Sequence, residues 1–349
     1  MVDLKFNYPS LAEESMHIKN WMATHPDASQ WLRFPPVAGS DSTRSLAKKW
    51  MNIDTNISDL VLANSGNHAI TIILETLDPA KGIITDPYTY PAFKHTSAQK
   101  NILLHAAPSD HEGLTLKGIE EAYARTRANV LYLQPTIHNP TCTVMSLARR
   151  QSIADFVKAN DMMIFEDDAY RFLHPSPPPS FLELLPSHTI HVNSLSKPFN
   201  PLLKTAFVAL PHKYVDKITN CIRLSSSGNS SMMNAFAEYV IANGVVDELI
   251  AGKRKHSSDL QQRMMPTLEG LTIQTHPHSF HLWITLGEHL KSSSVSAALG
   301  AKGILIPTGA DFETVPSGEG ERRLRVALAA ERDENVLRRA LLQLREFLG

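Results

Sequence analysis

Three apolar runs, each stopping at a chemically distinctive residue, constrain this chain more than any other feature. Ile190-His191-Val192-Asn193 leads into Ser194-Leu195-Ser196-Lys197, with Pro198 behind it. Met162-Met163-Ile164-Phe165 leads into Glu166-Asp167-Asp168-Ala169-Tyr170. Val130-Leu131-Tyr132-Leu133-Gln134-Pro135 precedes His138-Asn139-Pro140-Thr141. Short continuous apolar runs bounded by turn signals read as buried strands. Their ends deliver a lysine, an aspartate with a tyrosine, and an asparagine. In an open α/β sheet, ligands bind beyond the carboxyl ends of the strands. A lysine there is unusual, because lysines rarely leave solvent without a partner. It is either a surface lysine on a turn, or a lysine held as a Schiff base with a depressed pKa, able to act as nucleophile and base. The company of the other two strand ends favours the second.

The connections fit a mostly parallel sheet. Further strands are expected near 59–64, 82–86 and 103–107. A helix over 147–160 is long enough to cross between parallel strands, whereas the gap 198–204 is not, so a strand over 205–210 should run antiparallel to its predecessor. Helices are also expected near 13–23, from a Ser42 cap through 51, and over 68–77, 116–127, 213–223 and 231–242, the last ended by Gly244. A long helical pattern, 246–264, leads to strands near 280–284, 303–307 and 324–328 and a final helix over 334–348. With 349 residues and 43% apolar content, two domains are more natural than one.

Taken together, these strand ends resemble the fold-type I, pyridoxal-phosphate-dependent aminotransferases of class I/II. The likeness is closest to the aminotransferase domain of MocR/GntR-type regulators, and it runs from about Asp3 to the C-terminus. It implies an α/β fold: a large domain with a mostly parallel seven-stranded sheet flanked by helices, and a smaller α+β C-terminal domain. The expected division is 1–40 as a segment serving the active site and dimer interface, 41–245 as the cofactor-binding domain, and 246–349 as the small domain.

The resemblance also implies roles. Lys197 would carry pyridoxal 5'-phosphate as an internal aldimine and shuttle the Cα proton. Asp167 would pair with the pyridine nitrogen, while Asn139 and Tyr170 would reach the 3-oxygen. Tyr90, with Tyr88 as competitor, would stack on the ring. Ser65, Gly66 and Asn67 open a helix whose N-terminal N–H groups suit a phosphate; Ser194, Ser196 and Lys204 would join them. Arg325 would fork onto the substrate carboxylate, with Gly39 and Asn139 beside it. Three positions depart from the family pattern. Phe34 lies near a tyrosine that in many relatives reaches the partner's cofactor phosphate. Cys142 stands where a small residue is usual, and Lys204 replaces an arginine, keeping the charge but losing the bidentate fork.

The expected activity is amino-group transfer between an amino acid and a 2-oxo acid. The same scaffold also supports lyases, decarboxylases and racemases, because the cofactor carries the chemistry. An effector-sensing module is the alternative outside catalysis; the chain begins at the aminotransferase segment with Met1, so a fused DNA-binding domain is not expected. Lys+Arg 34 against Asp+Glu 35 gives a formal charge of -1, which suggests no nucleic-acid partner. Lys253-Arg254-Lys255, Arg149-Arg150 and Arg322-Arg323 read as solvated helix faces or loops. His276 and His278 would share one strand face and His281 the other, without a carboxylate or cysteine, so no metal is expected. Two cysteines, Cys142 and Cys221, and no signal segment or membrane span suit a cytoplasmic protein, and the resemblance implies a homodimer with shared active sites.

Overall fold

A computed structural model describes residues 1–25 and 29–349. At its centre lie seven strands: β1 Leu60–Ala63, β2 Ile83–Thr85, β3 Leu104–Ala106, β4 Val130–Leu133, β5 Met163–Asp167, β6 Thr189–Ser194 and β7 Ala206–Ala209. Their spatial order is β1-β7-β6-β5-β4-β2-β3. All pairings are parallel except those of β7, which runs antiparallel to both β6 and β1. The short link before β7 leaves no other option.

Alternate residues of each central strand feed two different cores. Val130 and Tyr132 pack with Phe93, Phe165 and Ile190 on one face, while Leu131 and Leu133 pack with Ile153 and Ile164 on the other. A parallel sheet covered on both faces needs apolar residues at every position, which is why these strands read as continuous runs rather than alternations.

The C-terminal part is built on a second, antiparallel sheet: β8 Thr272–Gln274, β9 His281–Thr285 and β10 Arg323–Ala327, in that spatial order. Leu260 and Met264 of the helix Val245–Met264, and Leu337, Leu341, Leu344 and Leu348 of the last helix, cover Leu282, Ile284, Leu324 and Val326. Asp333 caps that last helix by accepting from the N–H groups of Asn335 and Val336. The N-terminus is sewn to this same part. Val2–Asp3 pairs in parallel with Ile304–Leu305, and Leu4 is fully buried in its core, a burial worth about 1.5–3 kcal/mol.

Several expectations need correction. Ser40, not Ser42, caps the helix Asp41–Met51, accepting from Thr43 N. Lys253 and Arg150 are fully buried rather than solvated. Arg150 donates to the carbonyls of Met145, Pro135 and Pro179, tying together loops at one end of the sheet. His276 and His278 lie in the loop before β9, not on a strand. The helices Pro91–Gln99 and Ser292–Ala301 and the small hairpin of Ser109–Asp110 with Gly113–Leu114 were not anticipated.

Candidate active site

The carboxyl ends of β1, β2, β4, β5 and β6 open onto one cavity. Ser65, Gly66, Asn67, Tyr90, Asn139, Asp167, Tyr170, Ser194, Ser196, Lys197 and Lys204 all line it. Lys197 sits three residues beyond β6, in the turn that leads to β7. Its ammonium donates to Asn7 O at 3.0 Å and lies 3.8 Å from the centroid of the Tyr8 ring. Burial pulls its pKa from 10.5 down to about 7, with the charges of Arg325 and Lys253 adding to the fall and Asp167 opposing it.

Asp167 ends β5. Its Oδ2 accepts from Tyr132 Oη at 2.7 Å and Gln134 Nε2 at 3.0 Å, and its Oδ1 from Ala169 N at 3.2 Å. Burial raises its pKa, against the pull of those three donors. Glu166 and Asp168 point elsewhere, as alternation on a strand requires. Glu166 accepts from Phe181 N and Leu182 N, and Asp168 meets His191 at 3.1 Å. Tyr170 accepts from Asn7 Nδ2 at 3.0 Å, and burial lifts its pKa to about 12.

The helix Gly66–Leu77 points its N-terminus at the cavity. Ser65 caps it, accepting from His68 N. Among the described residues nothing accepts from the N–H groups of Gly66 or Asn67. A Cβ placed on Gly66 would meet nothing within 4 Å, so the space above that turn is open. Tyr90 Oη donates to Asn67 Oδ1 at 3.2 Å. Tyr88, its competitor, instead meets Trp283 edge-on, 5.0 Å between ring centroids, outside this cavity. Asn139 follows the strand end of β4 and is nearly buried, with Oδ1 facing no donor. An unsatisfied buried amide oxygen carries a desolvation cost that a ligand group would remove.

Two expected substrate residues lie outside the cavity lining. Arg325, on β10, is buried; its guanidinium donates to Lys5 O and its Nε has no partner. Gly39 packs against Leu62, where a Cβ would come within 2.6 Å of Leu62 Cδ1, and its φ of +91° suits only glycine comfortably. Phe34 is 92% exposed. Cys142 adopts φ +62°, its Sγ 3.4 Å from Ser279 Oγ; burial lifts its pKa to about 12 and keeps it a thiol.

Sequence reasoning missed a clamp beneath Lys197. Lys253, fully buried on the helix Val245–Met264, donates to Lys197 O at 2.9 Å and Phe199 O at 2.5 Å and pairs with Glu14 at 3.0 Å. Glu14 in turn accepts from Asn200 Nδ2 at 2.7 Å and Leu11 N at 3.0 Å. The loop carrying Lys197 is thus held from below by a buried ion pair with nearly all its bonds made. Asn7, Tyr8, Tyr132 and Gln134 were also missed.

The aminotransferase class I and II family model matches residues 1–344. An uncharacterised HTH-type transcriptional regulator of Bacillus subtilis, YdeF, is 25% identical over 95% of this chain and 72% of its own length. Against two other regulators of that organism the match spans 59% and 57% of their length. A 2-aminoadipate transaminase of Thermus thermophilus is 22% identical over 87% of this chain and 79% of its own. Among solved structures, the α-aminoadipate aminotransferase LysN of Thermus thermophilus, complexed with N-(5'-phosphopyridoxyl)-L-leucine, superposes with a TM-score of 0.90. It is 18% identical, over 100% of this chain and 92% of that one.

Proposed function

The chain belongs to the aminotransferase class I and II family, and from that premise we propose that it is a pyridoxal-phosphate-dependent aminotransferase acting between an amino acid and a 2-oxo acid. One observation carries the reading: the cavity gathers an amine whose pKa is drawn to about 7, a buried carboxylate and an open helix N-terminus.

Those residues fit the cofactor. The N–H groups of Gly66 and Asn67 with Ser65, Ser194, Ser196 and Lys204 would hold its phosphate. Asp167 would face its ring nitrogen, the orphaned amide of Asn139 and the phenol of Tyr170 its 3-oxygen, and Tyr90 its face. When bound, the group supplies an electron-withdrawing ring that makes a substrate Cα proton acidic. Lys197 anchors it. Once free, the Lys197 amine would take the substrate Cα proton and return it on the far side of the substrate nitrogen, at the cofactor's aldehyde carbon. An amine near 7 is matched to both halves of that task at neutral pH. Arg325 receives the substrate carboxylate, exchanging its bond to Lys5 O for a charged, forked one. Lys253 and Glu14 keep the Lys197 backbone in place.

A homodimer belongs to this proposal. Leu32, Phe34, Leu202 and Leu224 are 77–92% exposed, and large exposed apolar side chains of this kind mark interaction surfaces when they gather. Ser231 Oγ donates to Arg33 O, which ties the segment of Leu32 and Phe34 to the helix Ser231–Ala242, and Asn64 Nδ2 donates to Gly228 O beside it. No described helix is long and apolar enough to cross a membrane.

The test is an absorption spectrum of the protein with pyridoxal phosphate, before and after a panel of L-amino acids. A visible band that gives way to a shorter-wavelength one with some donors supports transamination and names the donor. Its persistence in Lys197→Ala, together with unchanged turnover, would sink the assignment. A second reading, an effector sensor, is favoured by the likeness to the regulators; its mark would be a band that no amino donor alters.

A further inference from the structure

A second, larger cavity of about 520 Å³ lies between the two sheets, and no residue lines both it and the first. One wall is the strand end after β2, with Asp86 and Tyr88. The opposite wall is the face of the small sheet that carries Trp283 and Arg323. Asp86 is only 6% exposed. Its carboxyl receives no donor except its own backbone N–H, and His138 Nε2 stands off at 3.7 Å. Burial drives the His138 pKa to about 3, so that imidazole is neutral and offers no countercharge.

The other carboxylates of the cavity are already engaged or in solvent. Asp110 is forked by Arg149, with distances of 2.8 and 3.4 Å. Glu313 Oε1 accepts from Ser317 Oγ and Gly320 N, both at 2.7 Å. Glu319 is exposed at the mouth. The charges of Arg323, Glu313 and Glu319 all act on Tyr88, and together they sum to one negative charge. Asp86 is therefore a buried acid with no donor from another residue, in a chamber of negative balance beside two aromatic rings 5.0 Å apart. A buried carboxyl of this kind calls for a donor that brings positive charge, and aromatic faces attract cations.

We propose that this second cavity binds a small organic cation, a guanidinium or alkylammonium group on a short body, through the Asp86 carboxylate and the Tyr88 and Trp283 rings. The neutral histidine leaves room for the incoming charge, and Glu319 at the mouth draws it in. Burial holds the Asp86 pKa near 7, so pairing with a cation at neutral pH displaces a proton from it.

The probe is butylguanidine, which lacks the primary amine that would react at the first cavity. It is titrated calorimetrically into the full chain loaded with pyridoxal phosphate. Saturable binding is expected, with a heat at pH 7 that depends on the buffer's ionisation. Asp86→Asn should weaken it at least tenfold. Gln274→Trp, a replacement at an exposed position that fills the chamber without touching Asp86, should weaken it similarly and decides the matter should the first variant not fold. Neutral butylurea should not bind. Absence of saturable binding at millimolar concentration, equal binding of butylurea, or unchanged affinity in the folded variants would overturn the proposal.

Discussion

Lys197 costs the protein stability, and the cost has a pH signature. Its pKa falls from 10.5 in the unfolded chain to about 7 in the folded one, a gap of about 3.5 pH units. Below pH 7 the lysine is charged in both states, so the folded state bears the full penalty of burying the charge. Between 7 and 10.5 the folded state sheds its proton first, and the penalty shrinks. Above 10.5 both states are neutral and it is gone. At ~1.36 kcal/mol per pH unit the full penalty is about 5 kcal/mol. The ammonium keeps some contact with solvent, so half of that is the safer figure. Lys197→Met removes the group while keeping most of its volume. Comparing the two cofactor-free proteins by urea unfolding at each pH cancels the titration of the other residues. From pH 6 to pH 9.5 the difference in unfolding free energy should swing towards the native protein by about 1.5–2 kcal/mol. A flat difference, or a swing in the opposite sense, would show that Lys197 is not held near neutrality and would remove the physical basis for its role as a base.

Three further outcomes follow from the same contacts. Lys253→Met leaves Glu14 buried without its partner and frees the carbonyls of Lys197 and Phe199; it should cost about 3–5 kcal/mol in urea unfolding, and adding Glu14→Gln should recover part of that. Lys204→Arg restores a planar fork at the cavity rim and should tighten pyridoxal phosphate about tenfold in a fluorescence titration. Asp167→Asn can still accept from Tyr132 and Gln134 but carries no charge; single-turnover rates with the best donor should fall about 10²–10³-fold while pyridoxal phosphate still binds.

What could be read in the sequence, and what could not, follows from how each residue is held. Lys197, Asp167 and Asn139 were legible because parallel strands buried on both faces leave unbroken apolar runs, and a polar residue at the end of such a run stands out. Gln134 stands at the end of β4 by the same logic and was passed over. It donates to Asp167 and accepts from Asn139 N, so it couples two site residues. Asn7 and Tyr8 left no such trace. They lie against Lys197, a few residues after Val2–Asp3 is stitched to Ile304–Leu305 across nearly the whole length of the chain, and nothing local announces that pairing. Lys253 is the instructive case, because its trace was present and misread. On the helix Val245–Met264 the buried stripe runs Val246, Leu249, Lys253, Ser257, Leu260, Met264, at the three- and four-residue spacing of one helical face. Lys253 occupies an apolar position in that stripe, whereas Lys255 falls off it. Arg150 does the same beside Ile153, Ala154 and Val157. A cation on an apolar stripe cannot be solvated there, so acceptors must await it in the fold. For Arg150 they are loop carbonyls, and for Lys253 they are Glu14 and the carbonyls of the segment that carries Lys197. Periodicity therefore weighs more than net composition in deciding whether a charged triplet is surface or site.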